Sequence, residues 1–213
     1  MNKDLFRTYQ TACLVGPMLP LLGETLDQFE GNSVITTYAP ELRPSSPWRK
    51  QIVEGWTIIS VDLWKPHNVR CILDREGNVN LYGPGGTPDR TYQIPDAGVM
   101  REGAGDYGYV NRIRAIGDGL YVCGQSRQVY RFVPGKPHVL DGQWVDFAGT
   151  MRQQPMSEPP DDNGGEAFER WLDENDAIDL VDIAGSSESD IYTAGDECWH
   201  YNGRQWKQLQ LPT

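Results

Sequence analysis

Residues 190–213, DIYTAGDECWHYNGRQWKQLQLPT, decide the fold of this chain. A β-prone run at 191–195 is followed by a short turn, a second run from Trp199, a turn at Asn202-Gly203 and a third run from Trp206. Short runs of β-branched and aromatic residues that are separated by Asn and Gly predict a small antiparallel sheet.

An upstream stretch at residues 119–132 repeats this pattern. GLYVCGQSRQVYRF aligns with DIYTAGDECWHYNG, so that 120–124 lies on 191–195 and Tyr130 lies on Tyr201. Because each copy also follows an aliphatic run that ends in a small turn, the two stretches predict a repeated structural unit.

The repeat extends toward the N-terminus. Residues 56–94 show the same order of four strands, predicted at 58–61, 69–73, 79–82 and 90–94. A further N-terminal copy would supply its last three strands from ACLVG at Ala12, SVITTY at Ser33 and WRKQIV at Trp48.

Aromatic residues mark the last strand of each copy and fall 44, 52 and 62 residues apart; they are Trp48, Tyr92, Trp144 and Trp206. The core unit of about 35 to 45 residues has the size of a propeller blade. Over residues 56–213 the chain resembles bacterial β-propeller repeat proteins related to the kelch and tryptophan-aspartate repeat groups. The resemblance implies an all-β, propeller-like array of about four antiparallel blades.

Two arrangements of these blades fit the sequence. Residues 1–50 could complete a small four-bladed ring as a degenerate first blade, or the ring could be open and close through a second copy or another protein. Exposed edge strands favour such association, so a homodimer is one expected outcome. In either arrangement we expect residues 1–213 to form a single domain with an insertion at 149–179.

Composition restricts the function. The four cysteines and three histidines are scattered, without the close pairs that a structural zinc site needs, so we expect buried thiols in the strands, no metal and no cofactor. The N-terminus lacks the uninterrupted apolar run of a signal peptide, and no segment reaches the length of a membrane span. The sequence therefore predicts a cytoplasmic protein that does not bind membranes.

Three short motifs resemble ligand sites but favour loops. GAGDYG at 103–108 leads into a strand rather than a helix, which argues against a dinucleotide site. DREGN at 74–78 and DDNGGE at 161–166 lack the ligand order of a calcium loop. No linear motif predicts catalytic residues, and we expect a non-enzyme. The alternative is a sugar- or peptide-processing enzyme with carboxylates from different blades at the channel mouth.

The insertion carries most of the charge. Residues 158–182 hold ten acidic residues and one arginine, which accounts for nine of the eleven net negative charges of the chain. GGEAFERWLDEN within it predicts a short helix with an apolar stripe of Phe168, Trp171 and Leu172. A solvated loop is the plainer interpretation, but the length of the insertion and its stripe favour a functional element.

A localised negative field attracts basic proteins and repels nucleic acid, so we expect a basic protein partner and no nucleic acid. The chain is similar in type, though not in motif, to bacterial immunity proteins, which implies neutralisation of a basic toxin or effector domain. A general interaction scaffold is the alternative within the same class. The predicted partner-binding residues are Asp161, Asp162, Glu166, Glu169, Trp171, Asp173, Glu174 and Asp176.

Overall fold

A computed structural model describes residues 7–13, 19–25, 32–38, 40, 44–83, 89–154, 160, 165–174 and 176–210. Their strands form four antiparallel sheets, each built from four strands that are consecutive in the chain. We number these sheets as blades 1 to 4. Blade 1 contains β1 (Arg7–Ala12), β2 (Leu19–Thr25), β3 (Ser33–Tyr38) and β4 (Trp48–Val53). Blade 2 contains β5 (Ile58–Trp64), β6 (Val69–Asp74), β7 (Asn78–Tyr82) and β8 (Arg90–Gln93).

The other two blades follow the same order. Blade 3 contains β9 (Val110–Ile116), β10 (Gly119–Gly124), β11 (Val129–Val133) and β12 (Gln143–Asp146). Blade 4 contains β13 (Leu180–Ser187), β14 (Asp190–Gly195), β15 (Trp199–Tyr201) and β16 (Trp206–Gln208). The helix α1 (Glu166–Glu174) lies between blades 3 and 4, and 3-10 turns span Lys65–His67 and Gly149–Met151. The all-β, propeller-like fold with four antiparallel blades is confirmed.

The first strand of each blade packs against the first strand of the next, β1 with β5, β5 with β9 and β9 with β13. Side chains fasten these strands across the blade boundary. The Ser60 hydroxyl accepts a hydrogen bond from the backbone N–H of Ile113 at 3.1 Å, and Asp62 Oδ2 accepts one from Ala115 at 2.7 Å. The first strands therefore lie at the centre and the blades radiate outward, as the repeat predicts.

Apolar clusters fill the space between blades. Blade 2 meets blade 3 around Trp64, Leu81, Phe132 and Trp144, and a second cluster between blades 3 and 4 includes the fully buried Tyr121. Alternating side chains supply both clusters, because successive residues of a strand point to opposite faces. A third cluster joins Ile58, Val61 and Ile72 of blade 2 to Ile35 and Val53 of blade 1, so blades 2 and 3 are each packed on both sides.

The cysteines in the strands are buried thiols, as expected. Cys71 on β6 and Cys123 on β10 have no solvent exposure, and all four cysteines are free. Burial raises the pKa of both strand thiols well above the ordinary value. These side chains act as small apolar groups in the sheets.

One residue of the predicted repeat alignment is wrong. Tyr201 pairs with Ile191, whereas the counterpart of Ile191, Leu120, pairs with Phe132. Tyr201 therefore corresponds to Phe132, and Tyr130 corresponds to Trp199. The physical reason is the hairpin turn between the second and third strands, which is two residues shorter in blade 4 than in blade 3. The equivalence of Trp144 and Trp206 is confirmed, because they pair with Phe132 and Tyr201.

Blade 1 also differs in detail from the expected strands. Its second strand is Leu19–Thr25, which pairs with β3, and not ACLVG at Ala12. Ala12 instead ends β1, and residues 14–16 lie outside the described residues. Pro20 lies within β2 opposite Thr37.

Candidate partner-binding surface

The insertion lies on one side of the blades, which we call the insertion face. Antiparallel strands place the turn after every second strand, and the loop between consecutive blades, on the same side of the array. The insertion face comprises the turns at 75–77, 125–128 and 196–198, the loop at 94–109 and the insertion at 149–179. The turns at 117–118, 188–189 and 202–205 lie on the opposite face.

Gln153 closes the insertion at its base. Its side-chain Nε2 donates to the carbonyl of Asp176 at 2.8 Å, and its Oε1 accepts from the N–H of Ile178 at 3.0 Å. The backbone N–H of Gln153 donates to Ser126 at 3.1 Å. One amide side chain thus joins the two ends of the insertion, and its own backbone fixes them to the hairpin turn of blade 3.

The second end is also tied to the turn of blade 4. The backbone N–H of Asp196 donates to the Asp179 carbonyl at 2.9 Å, and the N–H of Asp179 donates to Asp196 Oδ2 at 2.8 Å. Asn111 Nδ2 donates to Asp179 Oδ1. Partial burial raises the pKa of Asp179. Asp179 is therefore a structural end of the insertion rather than a solvated acid.

The predicted helix is confirmed, and it carries four of the predicted binding acids on exposed positions. These acids are Glu166, Glu169, Asp173 and Glu174, and Asp176 is exposed just beyond the helix. Two of them lie in the first turn, where negative side chains interact favourably with the helix dipole. Asp161 and Asp162 lie outside the described residues. The structure thus brings four carboxylates together on one short helix.

The apolar stripe of the helix contains an aromatic pair. Phe168 and Trp171 stack with their ring centroids 5.7 Å apart and their planes at 18°, and both residues are half-buried. Offset-stacked rings at this separation attract each other beyond their simple burial. The helix therefore presents aromatic surface as well as negative charge, whereas the side chain of Leu172 lies outside the described residues.

An ion pair beside the insertion joins the turns of blades 3 and 4. Arg127 Nε and Nη2 donate to the two oxygens of Glu197 at 2.7 and 2.8 Å. The indole of Trp199 donates to Glu197 Oε2 at 2.7 Å, and the Arg127 guanidinium lies 5.7 Å from the centroid of that ring. Hydrogen bonds from Arg127 lower the pKa of Glu197. This bidentate contact holds the hairpin turns of blades 3 and 4 together beside the insertion.

Arg152 forms a second cationic centre at the start of the insertion. Its guanidinium lies 4.7 Å from the centroids of both Tyr107 and Tyr130, and it donates to Asp146 Oδ1 at 2.9 Å. Burial raises the pKa of Tyr130 to about 12, while its hydroxyl donates to Gln128 at 2.8 Å. The cation is held between two aromatic rings, so it is neutralised within the fold.

Two exposed apolar residues, Val99 and Met100, project from the loop between blades 2 and 3. Met100 is 80% exposed and follows an exposed Val99, and the N–H groups of both residues donate to Glu76 Oε2 at 2.9 and 3.1 Å. Gly98 has φ +94°, and a side chain there would meet the Glu76 backbone at 2.8 Å. Glycine is thus required at position 98, because the loop approaches the Glu76 backbone too closely for a side chain.

Carboxylates on the first strands are occupied by contacts between blades. Asp182 Oδ1 lies 3.4 Å from Arg112 Nε and from Arg114 Nε, and it accepts from the N–H of Ile183 at 2.9 Å. Asp62 accepts from the N–H groups of Leu63 and Ala115. Both acids therefore stabilise the array, and neither favours the alternative of catalytic carboxylates near the channel.

An open groove of about 520 Å³ lies on the opposite face between blades 3 and 4. Its wall includes an ion pair of Arg131 and Glu188 together with Tyr201 and the serines at 186, 187 and 189. The predicted binding acids are not part of it. Within the described part of the chain, no cluster of three or more potential ligands could hold a metal, and no helix is long and apolar enough to cross a membrane.

Part of the chain is similar in sequence to a curated protein. No protein-family model matches the chain. The chain is 26% identical over 161 residues to the Immune protein Tsi7 of Pseudomonas aeruginosa, a match that covers 74% of this chain. The chain spans 44% of the length of that relative.

Solved structures support the fold. The Saccharomyces cerevisiae protein Sqt1 superposes with a TM-score of 0.51 at 11% identity over 99% of this chain and 64% of that chain. YCF48 bound to D1 peptide superposes with a TM-score of 0.50 at 11% identity over 95% of this chain and 66% of its own. Both neighbours are propeller-like, which agrees with the fold of this chain.

Proposed function

We propose that this chain is a non-catalytic immunity protein that binds and neutralises a basic toxin or effector domain through its insertion face. The observation that carries the proposal is the helix α1, which presents four exposed carboxylates beside a stacked Phe168–Trp171 pair. The sequence similarity to the Immune protein Tsi7 supports it independently. A protein that neutralises a toxin inside its producer acts in the cytoplasm, which is where we place this chain.

The chemistry of the helix suits a basic protein surface. Exposed carboxylates speed the encounter with a positively charged partner, and a half-buried tryptophan supplies the kind of anchor that frequently dominates binding energy. Two cations at the base of the insertion are neutralised, Arg127 by Glu197 and Arg152 by Asp146 and two tyrosines, and Arg170 is the one base among the ten acids of residues 158–182. The insertion face therefore offers a net negative surface to its partner, and it repels nucleic acid.

The hydrogen bonds at the base of the insertion hold its two ends in place before a partner binds. Gln153, Asp179 and Asp196 fix both ends of the segment to the blades. Fixed ends reduce the entropy that the segment loses when a partner orders it. We accordingly assign the eight predicted residues, including Asp161, Asp162 and Asp176, to the partner contact.

Binding kinetics with charge-matched variants test this proposal. The partner would be the basic protein recovered with the tagged chain from its native cell, identified by mass spectrometry and purified. Glu169→Gln with Asp173→Asn removes two charges from the helix, and Asp89→Asn with Asp118→Asn removes two exposed charges from the opposite face. We expect the helix variant to associate several-fold more slowly, with a weaker dependence on salt, while the control behaves like the parent.

Two results would contradict the proposal. Equal slowing by both variants would show that only the total charge matters. Unchanged association by the helix variant, together with an unchanged dissociation rate in Trp171→Ala, would remove α1 from the interface. Protection of cells that express the captured protein provides the functional readout, and it should fail with the helix variant under conditions in which the control still protects.

A further inference from the structure

The loop at 94–109, between blades 2 and 3, is held in place by hydrogen bonds within itself and to blade 3. The backbone N–H of Gly98 donates to the carbonyl of Gly108 at 3.0 Å, which joins the two sides of the loop. The buried side chain of Gln128, in the hairpin turn of blade 3, donates to the carbonyls of Tyr107 and Gly108 at 3.0 and 3.1 Å. The loop is therefore an ordered part of the array.

This ordered loop holds two apolar side chains in solvent. Val99 is 50% exposed and Met100 is 80% exposed, and we call these two residues the loop tip. Their N–H groups both donate to Glu76 Oε2, so blade 2 fixes the backbone of the tip. Neither side chain belongs to the apolar clusters that the described residues form between blades. An ordered loop of this length is usually functional, and the tip is its apolar contact surface.

The charges around the loop tip favour a basic partner. Asp96, Glu102 and Asp106 are all exposed. Arg101 is the one cation of the loop, and it is half-buried. Its guanidinium turns back into the loop, where Nη2 donates to the Ile94 carbonyl at 2.7 Å. The loop therefore presents carboxylates beside its apolar tip, while its cation contacts the loop's own backbone.

The loop lies beside the insertion on the insertion face. The guanidinium of Arg152, at the start of the insertion, lies 4.7 Å from the centroid of the Tyr107 ring. The turn at 75–77, which holds the loop tip, adds Arg75 and Glu76, whose charges oppose each other. Loop and helix α1 thus share one face and one combination of groups, exposed carboxylates next to apolar surface.

We infer that the loop at 94–109 is a second contact surface for the basic protein partner, and that Met100 inserts into an apolar pocket of that partner. Asp96, Glu102 and Asp106 then face cations around the pocket. This inference rests on the proposed function, because it assigns loop and helix to one partner. Methionine suits such a pocket, since its unbranched and polarisable side chain adapts to irregular apolar surfaces. A loop that is already ordered loses little entropy on binding.

Dissociation kinetics with the captured and purified basic protein test the apolar contact. We expect Met100→Ala to raise the dissociation rate at least about tenfold, because it removes an anchor from the contact. The association rate should stay near that of the parent, since no charge changes. Val133→Ala is the matched control, an apolar truncation at an exposed position that ends β11 on the opposite face. Circular dichroism verifies that both variants are folded.

Association kinetics test the charges of the loop separately. Glu102→Gln with Asp106→Asn should slow association several-fold and weaken its dependence on salt. Asp89→Asn with Asp118→Asn removes the same charge from the opposite face and should behave like the parent.

Oxidation of methionine gives a readout that needs no variant. Dilute hydrogen peroxide should convert the exposed thioether of Met100 to its sulfoxide in the free chain, and the bound partner should slow that reaction. Met151 is 3% exposed and should react slowly in both states, which makes it the internal control. Mass spectrometry of the digested chain measures both residues.

Parental dissociation of Met100→Ala, together with equal oxidation of Met100 in the free and bound chain, would overturn this inference. Equal acceleration of dissociation by Val133→Ala would also overturn it. In either case, slower association of Glu169→Gln with Asp173→Asn would leave the proposed function intact. Effects of the loop variants without any effect of the helix variants would support the loop contact and contradict the role of α1. The two proposals therefore succeed or fail separately.

Discussion

The indole N–H of Trp206 donates a hydrogen bond to the backbone carbonyl of Phe147, 2.9 Å away and 59 residues earlier in the chain. The contact joins the last strand of blade 4 to the segment that leaves blade 3. The ring also lies 6.0 Å from Phe147 and 5.4 Å from Tyr201, centroid to centroid. One side chain thus fastens the final blade to its neighbour through both a polar and an aromatic contact.

Replacing Trp206 should therefore loosen blade 4. We expect Trp206→Ala to lower the free energy of unfolding by about 2 to 4 kcal/mol, less than for a fully buried tryptophan because the side chain is only half-buried. Trp206→Phe keeps an aromatic ring and should cost about 1 kcal/mol for the lost hydrogen bond. Urea denaturation measures both values. Trp48→Ala, at an exposed position in the fourth strand of blade 1, is the control and should cost clearly less than Trp206→Ala.

Gln153→Ala should release the insertion without unfolding the blades. The substitution removes two hydrogen bonds that join the ends of the insertion, with a cost of about 1 to 3 kcal/mol to that local structure. Hydrogen exchange should therefore accelerate at the amides of residues 176–179. Gln154→Ala is the matched control at the exposed neighbouring position. Similar exchange in both variants would show that the backbone contacts alone hold the base.

Lysine at position 127 should not replace arginine in the contact with Glu197. An ammonium group cannot reproduce two parallel hydrogen bonds to one carboxylate or the flat contact with Trp199. Both members are largely buried, so we expect Arg127→Lys to destabilise the protein nearly as much as Arg127→Ala, by about 1 to 3 kcal/mol. Thermal unfolding compares the two. Recovery of parental stability by lysine would mean that charge alone matters at this site.

Asp74 should make stability depend on pH in the acidic range. It is 1% exposed, and burial raises its pKa to about 6, against hydrogen bonds from Asn78 that lower it. The folded state thus holds this proton more tightly than the unfolded chain does. Its contribution is complete below about pH 4 and is lost as the pH rises toward 6, by up to about 3 kcal/mol.

Asp74→Asn isolates that contribution, because the amide does not titrate. The difference in unfolding free energy between the parent and the variant should change between about pH 4 and pH 7, in the direction that disfavours the parent at the higher pH. Denaturant titrations at several pH values measure the difference. A difference that stays constant with pH would show that the pKa of Asp74 is the same in the folded and unfolded states.

Much of the fold could be predicted because blade repeats leave a pattern in the sequence. The strand-turn-strand order of blades 2, 3 and 4 follows directly from it. The alignment failed at Tyr130 and Tyr201, where a shorter hairpin turn shifts the pairing by two residues. Turn length changes register without changing which residues are apolar, so the pattern alone could not reveal the shift.

Less of the candidate surface could be predicted. The helix with Phe168 and Trp171 follows from helical periodicity, and its acids follow from the charge count. The Gln153 contacts and the bidentate Arg127–Glu197 pair connect residues 23 to 70 positions apart. Neutral and charged hydrogen-bonding residues of this kind occur throughout any soluble chain, and only the fold brings these particular ones together.

The side-chain hydrogen bonds between the first strands of neighbouring blades affect the order in which the blades unfold. Thr11 accepts from Val61, Ser60 from Ile113, and Asn111 donates to Leu180, so each bond links a blade to its immediate successor. Stability in such a series is a sum of nearest-neighbour couplings, as in stacked repeats. Among the described blades these bonds couple blades 2 and 3 on both sides, so blades 2 and 3 should be the last cooperative unit to melt under load or rising temperature.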